Sequence, residues 1–346
     1  MLVWDLHTGD ALTVLRTLPA ESVHCCVTSP PYFGLRDYGV AGQIGLEATP
    51  DAFVAVLVAV FREVRRVLRD DGTLWLNLGD SYASSPPGNS TKGVSAKSGL
   101  NGVNGASGKY RDTLDAGHAT KRDTSKVSGL KPKDLIGIPW RVAFALQADG
   151  WWLRQDIIWS KPNPMPESVR DRCTKAHEYV FMLSKSARYH YDAEAVAEAC
   201  VWAGQNRTDD GPVPSAMPSA APHRGLRKDK QRGHGRRHAG FNERWDAMPK
   251  AEQCSGTRNK RSVWEIATEP FPEAHFATYP TALVELCILA GCPKGGTVLD
   301  PFSGAGTTGL VAARLGRGFV GIELNPEYVA LAKRRCCGPL FAEAGD

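Results

Sequence analysis

Gly295-Gly296-Thr297-Val298-Leu299-Asp300-Pro301-Phe302-Ser303-Gly304-Ala305-Gly306-Thr307-Thr308 holds a turn, a strand and the mouth of a helix in one short stretch. The paired glycines open the turn, Thr297 to Leu299 read as a buried apolar strand, and the pattern from Thr308 to Leu315 is helical. A strand that passes through a glycine-rich loop into a helix is a βα turn, where Gly304 and Gly306 let a ligand approach the backbone and the helix start favours polar groups. Moving outward, Gly318-Phe319-Val320-Gly321-Ile322 reads as a second strand ending at Glu323. That places an acid about 20 residues beyond the loop, where it can accept ribose hydroxyls. The stretch predicts an α/β fold and a site for a nucleoside-bearing cofactor. On its own it would suit a nucleotide-dependent oxidoreductase equally well.

A second motif lies near the other end of the chain. Val23 to Val27, with Cys25 and Cys26, read as a short buried strand, and Thr28-Ser29-Pro30-Pro31-Tyr32 follows it. Open α/β sheets place their ligands at such carboxyl ends. An exocyclic amine on a nucleobase is a poor nucleophile because its lone pair is delocalised into the ring. Two acceptors beneath the amino hydrogens localise that pair. The Ser29 hydroxyl and the Pro30 carbonyl are suitable, and Pro30-Pro31 holds the backbone so that the carbonyl points one way. Tyr32 offers a flat face for a base. Read by itself, the tetrapeptide is also an ordinary Pro-Pro turn after a strand.

Together the two motifs resemble those of the β-class DNA amino-methyltransferases, which use S-adenosylmethionine to methylate the exocyclic amine of cytosine or adenine. The resemblance implies that Asp300, Phe302, Ser303, Gly304, Gly306 and Thr307 hold the methionine end of the cofactor, that Glu323 holds the ribose, and that Ser29, Pro30, Pro31 and Tyr32 form the catalytic turn. It also assigns Asp10, after the strand-like Leu2 to Leu6, to the cofactor's adenine, although Gly-Asp after a strand is a common turn. His275 falls in the stretch 274–280, which resembles the segment covering the methionine. The blocks 71–80, 155–163 and 178–185 match further family strands, the last two as an antiparallel hairpin. Trp159, within that hairpin, is either a stacking partner for a flipped base or a core tryptophan.

The block order implies a circularly permuted, Rossmann-like sheet, seven-stranded and mainly parallel with an antiparallel hairpin, plus an inserted target-recognition region. Such a sheet closes only if Leu2 to Leu6 lies beside the strand ending at Glu323, so both termini belong to one domain. Residues 1–200 are then its catalytic part, 201–261 the target-recognition region and 262–346 its cofactor-binding part.

Size and composition agree with this. A chain of 346 residues and 37.5 kDa with 42% hydrophobic residues can bury one α/β core and carry an extra lobe. No run approaches a membrane span and the start lacks a signal-peptide pattern, which predicts a cytoplasmic protein with no membrane partner. Nine cysteines without a Cys-x-x-Cys pair predict neither a disulfide framework nor a zinc site; they read as core residues, and no metal is expected. A Pro-Cys nucleophile for ring-carbon methylation is absent.

Two regions break the pattern. Residues 84–131 are rich in Gly, Ser, Lys and Asn and carry eight Lys/Arg against three Asp, the composition of a flexible segment that can clamp DNA. Within 201–261, Arg224, Arg227, Lys228, Lys230, Arg232, Arg236 and Arg237 face only Asp229, which suits phosphate neutralisation with one or two arginines reading guanine edges. The net charge of +5 is small, so duplex DNA has to be held by local patches of this kind. His234 and His238 have helical metal-ligand spacing but sit among glycines and arginines, the setting of a basic loop.

Serine before Pro-Pro-Tyr, preceded by Thr28, leans toward N4 of cytosine over N6 of adenine. The two chemistries share mechanism and most motifs, so the adenine alternative stays open, as do a dehydrogenase and an inactive DNA-binding module. The resemblance further implies a cognate restriction endonuclease and a homodimer as partners.

Overall fold

A computed structural model of the chain describes residues 3–35, 38–83, 129–199, 256–269 and 278–336. The strands are β1 (Trp4–Thr8), β2 (Val23–Thr28), β3 (Leu68–Leu78), β4 (Trp152–Ser160), β5 (His177–Ser184), β6 (Glu198–Ala199), β7 (Thr257–Arg258), β8 (Val263–Glu265), β9 (Thr297–Asp300) and β10 (Gly318–Glu323). The helices are α1 (Ala11–Thr17), α2 (Pro50–Val67), α3 (Ile138–Ala148), α4 (Thr281–Gly291), α5 (Thr307–Arg314) and α6 (Pro326–Cys336).

Eight strands form one sheet in the order β1-β10-β9-β2-β3-β5-β4-β8. The pairs from β1 to β3 are parallel, β5 runs antiparallel to both β3 and β4, and β8 adds parallel to β4. The strand at the chain's start lies beside the one ending at Glu323, with Thr8 opposite Glu323 and Gly9 N donating to Glu323 O at 2.9 Å. The sheet has eight strands where seven were expected. Val263–Glu265 is the extra one, and three residues are too few to display a strand's two-residue period.

The central strands are apolar on both faces, as strands between helical layers must be. Cys25, Cys26, Leu74, Leu76, Val298 and Leu299 are fully buried. In α2, Phe53, Leu57, Val60, Phe61, Val64 and Val67 recur at helical spacing and all are buried; Thr49 caps the first turn by accepting from Ala52 N, and Pro50 occupies its start. In the β2/β3 ladder, Val23 pairs with Leu68 but Cys25 with Thr73, so residues 69–72 bulge out of the pairing. Five of the described cysteines are buried and Cys173 is exposed. Burial raises the thiol of Cys292 to about 12 and drives those of Cys25, Cys26 and Cys287 upward as well. They pack as small apolar residues.

The chain separates into two compact units, residues 1–195 with 262–346, and residues 196–261. The second unit's described part is the two-stranded β6/β7 ladder. There Glu198 pairs with Arg258, Lys260 and Arg261, and its hydrogen bond to Arg261 heads the causes that bring its carboxyl down to about 2. The basic stretch 224–237 and almost all of 84–131 lie outside the described residues. No described helix is long and apolar enough to cross a membrane, and no group of three or more metal-ligating side chains occurs among the described residues.

Candidate active site

Parallel strands β9, β2 and β10 all end on the same edge of the sheet, and a cleft of about 970 Å³ opens there. It is lined at one end by Asp10, Phe302, Ser303, Gly304, Thr307 and Glu323, and at the other by Ser29, Pro30, Pro31, Tyr32, Asn77 and Glu178. The two motifs recognised in sequence, more than 270 residues apart, share one cavity.

Asp300 joins them from beneath. It is fully buried and accepts four hydrogen bonds: Oδ1 from Thr28 Oγ1 at 2.7 Å and Phe302 N at 3.1 Å, Oδ2 from Thr308 Oγ1 at 2.6 Å and Tyr279 OH at 3.0 Å. Tyr279 and Thr308 also meet each other. Burial pushes the Asp300 carboxyl up, and the donors, Thr308 first, pull it back. With its acceptors engaged inside the protein, Asp300 holds from beneath the loop that lines the cleft.

In that loop Gly304 and Gly306 both take left-handed backbone, φ +51° and +79°. Only Gly304 faces open space; a Cβ at Gly306 would lie 2.8 Å from Ala332 Cβ of α6. Gly306 therefore serves helix packing and Gly304 serves the cleft. Ser303 is 5% exposed, lines the cleft, and its hydroxyl has no partner among the described residues. A buried hydroxyl in that state needs a ligand or water to complete it. Thr307 Oγ1 accepts from Arg335 at 2.9 Å.

Glu323 lies at the end of β10. Its Oε2 accepts from Gly304 N at 2.8 Å and its Oε1 from Asn325 N at 2.8 Å, and burial raises its carboxyl. The carboxylate thus shapes the glycine loop while bordering the cleft. Asp10 caps α1, its Oδ1 accepting from Thr13 N at 2.8 Å and Thr13 Oγ1 at 2.7 Å. A helix-capping role and a place on the cleft wall coincide in this one residue. His275 lies outside the described residues.

At the other end, Tyr32 OH donates to Glu178 Oε2 at 2.6 Å and approaches Asn77 Oδ1 at 3.3 Å. Asn77 Nδ2 donates to the same Glu178 oxygen at 3.1 Å, and Lys161 Nζ pairs with Glu178 Oε1 at 2.5 Å. Burial, then the neighbouring Glu178 charge, raises the phenol far above its ordinary range, so Tyr32 is neutral. Its ring lies against Gly79, where a Cβ would come within 2.4 Å of Tyr32 Cε2. Trp159 borders the cleft but is 2% exposed; its Nε1 donates to Ile266 O at 2.8 Å and Lys161 Nζ sits 4.3 Å from its ring centroid. Trp159 is therefore packed as a buried tryptophan at the border of the cleft.

Sequence reasoning passed over Asn77, Glu178, Lys161, Lys175 and Tyr279. Two of them carried a signal: Asn77 interrupts an apolar strand and Glu178 heads another, positions where polar side chains need buried partners. Asp80, just past β3, accepts from Gly137 N at 3.0 Å and Ile138 N at 3.1 Å and so caps α3.

Comparison with known proteins identifies the architecture. A family model described as DNA methylase matches residues 23–334. The type II methyltransferase M.Cfr9I of Citrobacter freundii is 47% identical over 333 residues, covering 96% of this chain and 87% of that protein. M.SmaI of Serratia marcescens is 45% identical over 94% of this chain and 88% of its own. Among solved structures, the cytosine-N4-specific PvuII DNA methyltransferase shares the fold with a TM-score of 0.56 at 19% identity, covering 95% of this chain and 85% of that one. TTHA0409 of Thermus thermophilus, a putative DNA modification methylase complexed with S-adenosyl-L-methionine, does so with a TM-score of 0.53 at 24% identity, covering 97% and 93%. With the family match running through both motifs and every strand of the sheet but β1, the chain belongs to the N6/N4 DNA methylases, the S-adenosylmethionine-dependent DNA amino-methyltransferases.

Proposed function

We propose that this protein is a site-specific DNA methyltransferase that modifies the exocyclic N4 amine of a cytosine flipped out of duplex DNA. The observation that carries the reading is the meeting of the Ser29-Pro30-Pro31-Tyr32 turn and the Phe302-Ser303-Gly304 loop in one cleft, joined through Thr28 and Asp300. Serine in the first position of the turn, after Thr28, supports cytosine.

S-adenosylmethionine is the cofactor, and when bound it supplies an electrophilic methyl group on a sulfonium sulfur. The residues present fit it. Ser303 offers an unpartnered buried hydroxyl, Gly304 an open approach, and the carboxylates of Glu323 and Asp10 acceptors for sugar and base. Asp300 acts through the loop: by fixing Phe302 N and Thr308 it sets where Ser303 and Gly304 stand.

At the catalytic turn, the Ser29 hydroxyl and Pro30 carbonyl accept from the amino hydrogens and turn the nitrogen lone pair toward the loop. Tyr32, neutral and tied to Glu178, supports the base plane without competing for a proton. The basic stretch from Arg224 to Arg237 neutralises phosphates as part of a target-recognition region spanning 201–261.

The test is to express the chain in a host that lacks DNA methylation and to sequence that host's DNA with detection of modified bases. N4-methylcytosine at a single recurring sequence is the expected result. N6-methyladenine would move the assignment to the other amine, and unmodified DNA in a host containing folded, cofactor-binding protein would overturn it.

A further inference from the structure

The loop 161–176 joins β4 to β5 and is braced at its base, middle and tip. Lys161 N donates to Ala176 O at 2.8 Å and closes the base, and Asn163 Oδ1 accepts from Thr268 N at 3.0 Å. Arg172 pairs with Glu167 at 2.6 Å while its guanidinium lies 4.0 Å from the Tyr82 ring centroid. Pro162, Pro164 and Pro166 alternate with Asn163 and Met165, locking φ at every second position. On this stiff arm Met165 is 88% exposed, more than any other large apolar side chain among the described residues.

A single exposed apolar side chain is ordinary on a protein surface, so what singles out Met165 is the stiffness of its arm and where that arm places it. Its position indicates a partner. Pro164, Met165 and Pro166 line the same cleft as Ser29 and Tyr32. Two cations of the same loop have no carboxylate within ion-pair distance among the described residues: exposed Arg170, and half-buried Lys175, whose ammonium donates to Asp80 O at 3.1 Å. Burial lowers the Lys175 pKa, with the more distant carboxylates of Asp80 and Glu178 opposing the shift. Apolar tip and unpaired cations suit base stack and phosphates side by side.

We propose that Met165 is a wedge that enters the base stack of duplex DNA at the place vacated by the flipped target base, delivered by the proline-stiffened arm and steadied by Arg170 and Lys175 on flanking phosphates. This rests on the DNA amino-methyltransferase reading and deepens it. A base that leaves the helix breaks two stacking contacts, and an apolar side chain of matching thickness keeps the gap from closing. Methionine suits the task because its unbranched thioether adapts to whichever pairs flank the site.

The experiment compares methylation of two duplexes carrying the sequence that the native enzyme modifies, one with the target base correctly paired and one with it mismatched and already loosened. Met165→Ala should lower kcat/KM about tenfold on the paired duplex and less than about twofold on the mismatched one, because the wedge matters only where opening is costly. Met165→Leu should restore most of the loss. With 2-aminopurine at the target position, the emission rise on binding should shrink in Met165→Ala, while S-adenosylmethionine affinity stays native.

Equal losses on both duplexes, or no loss on the paired one, would overturn the wedge and leave the enzyme's assignment standing. A shift from dimer to monomer in sedimentation of Met165→Ala would name a second copy of the chain as the true occupant and overturn it too. A native protein that methylates no sequence in DNA takes down the underlying reading, and the wedge with it.

Discussion

Thr28 Oγ1 donates to Asp300 Oδ1 across 2.7 Å, a buried hydrogen bond between the residue before Ser29 and the residue that opens the glycine loop. In the proposed mechanism it sets the spacing between the turn that presents the amine and the loop that holds the methyl donor. In an in-line transfer that spacing governs rate steeply.

Removing the Asp300 carboxylate should therefore damage both ends of the cleft. Asp300→Ala strands the hydroxyls of Thr28, Thr308 and Tyr279 and the amide of Phe302, at a cost of about 3 kcal/mol or more once the hydroxyls re-pair where they can. Thr28→Val deletes one donor and should cost about 1–2 kcal/mol. Urea unfolding measures both. S-adenosylmethionine titration should show weakened binding in Asp300→Ala although Asp300 itself does not line the cleft.

The raised pKa of Asp300 has a definite sign. Its ordinary value is 3.8 and burial lifts it, so between the two values the native state holds a proton that the unfolded chain releases. Stability from this group is complete below the unfolded pKa and falls as pH rises through the folded one. Asp300→Asn does not titrate there. The stability of the native protein relative to Asp300→Asn should be greatest in acid, decline as pH rises and then level off. A gap that widens toward neutral pH would contradict the burial argument.

Tyr32 is positioned from two sides, by Glu178 at its hydroxyl and by Gly79 under its ring. Gly79→Ala should displace the ring and lower kcat, with cofactor affinity unchanged. Tyr32→Phe keeps the ring but loses the bond to Glu178, so its defect should be smaller than that of Tyr32→Ala. Ser29→Ala should reduce turnover by about a hundredfold or more, since it removes an acceptor from the reacting amine. Single-turnover kinetics beside cofactor titration separates these outcomes.

The two glycines of the loop should fail in different ways. Gly306→Ala brings a methyl group to 2.8 Å of Ala332 Cβ at a left-handed φ, so it should lower the melting temperature. Gly304→Ala meets no protein atom and should cost only the strain of its φ, about 1–2 kcal/mol, while its methyl group occupies ligand space and weakens S-adenosylmethionine. If both variants lost stability equally and bound cofactor normally, the division of labour between them would be wrong.

Much of this protein is legible along the chain because its logic is local there. A strand, a glycine loop and a helix announce themselves through short-range pattern, and Pro-Pro fixes a turn wherever it occurs. Even the pairing of β1 with β10 follows from block order, since a permuted sheet has no other way to close. What pattern does not record is which side chains meet across the sheet. Asp300 and Glu323 stand where the motifs predicted, yet the sequence could not say that one is sealed beneath the loop with four donors while the other borders the cleft. Gly304 and Gly306 look alike in sequence, and only the approach of α6 separates their tasks. Trp159, Asn77, Glu178 and Lys161 acquire their roles when β5 slots between β3 and β4, because register alone decides that one carboxylate receives a phenol, an amide and an ammonium at once. Motif chemistry rests on covalent neighbours and can be read from order, whereas electrostatic partnership rests on distances of 2.6–3.1 Å, as between Glu178 and Tyr32 or Asn77, residues 146 and 101 positions apart, which exist only once the sheet has formed.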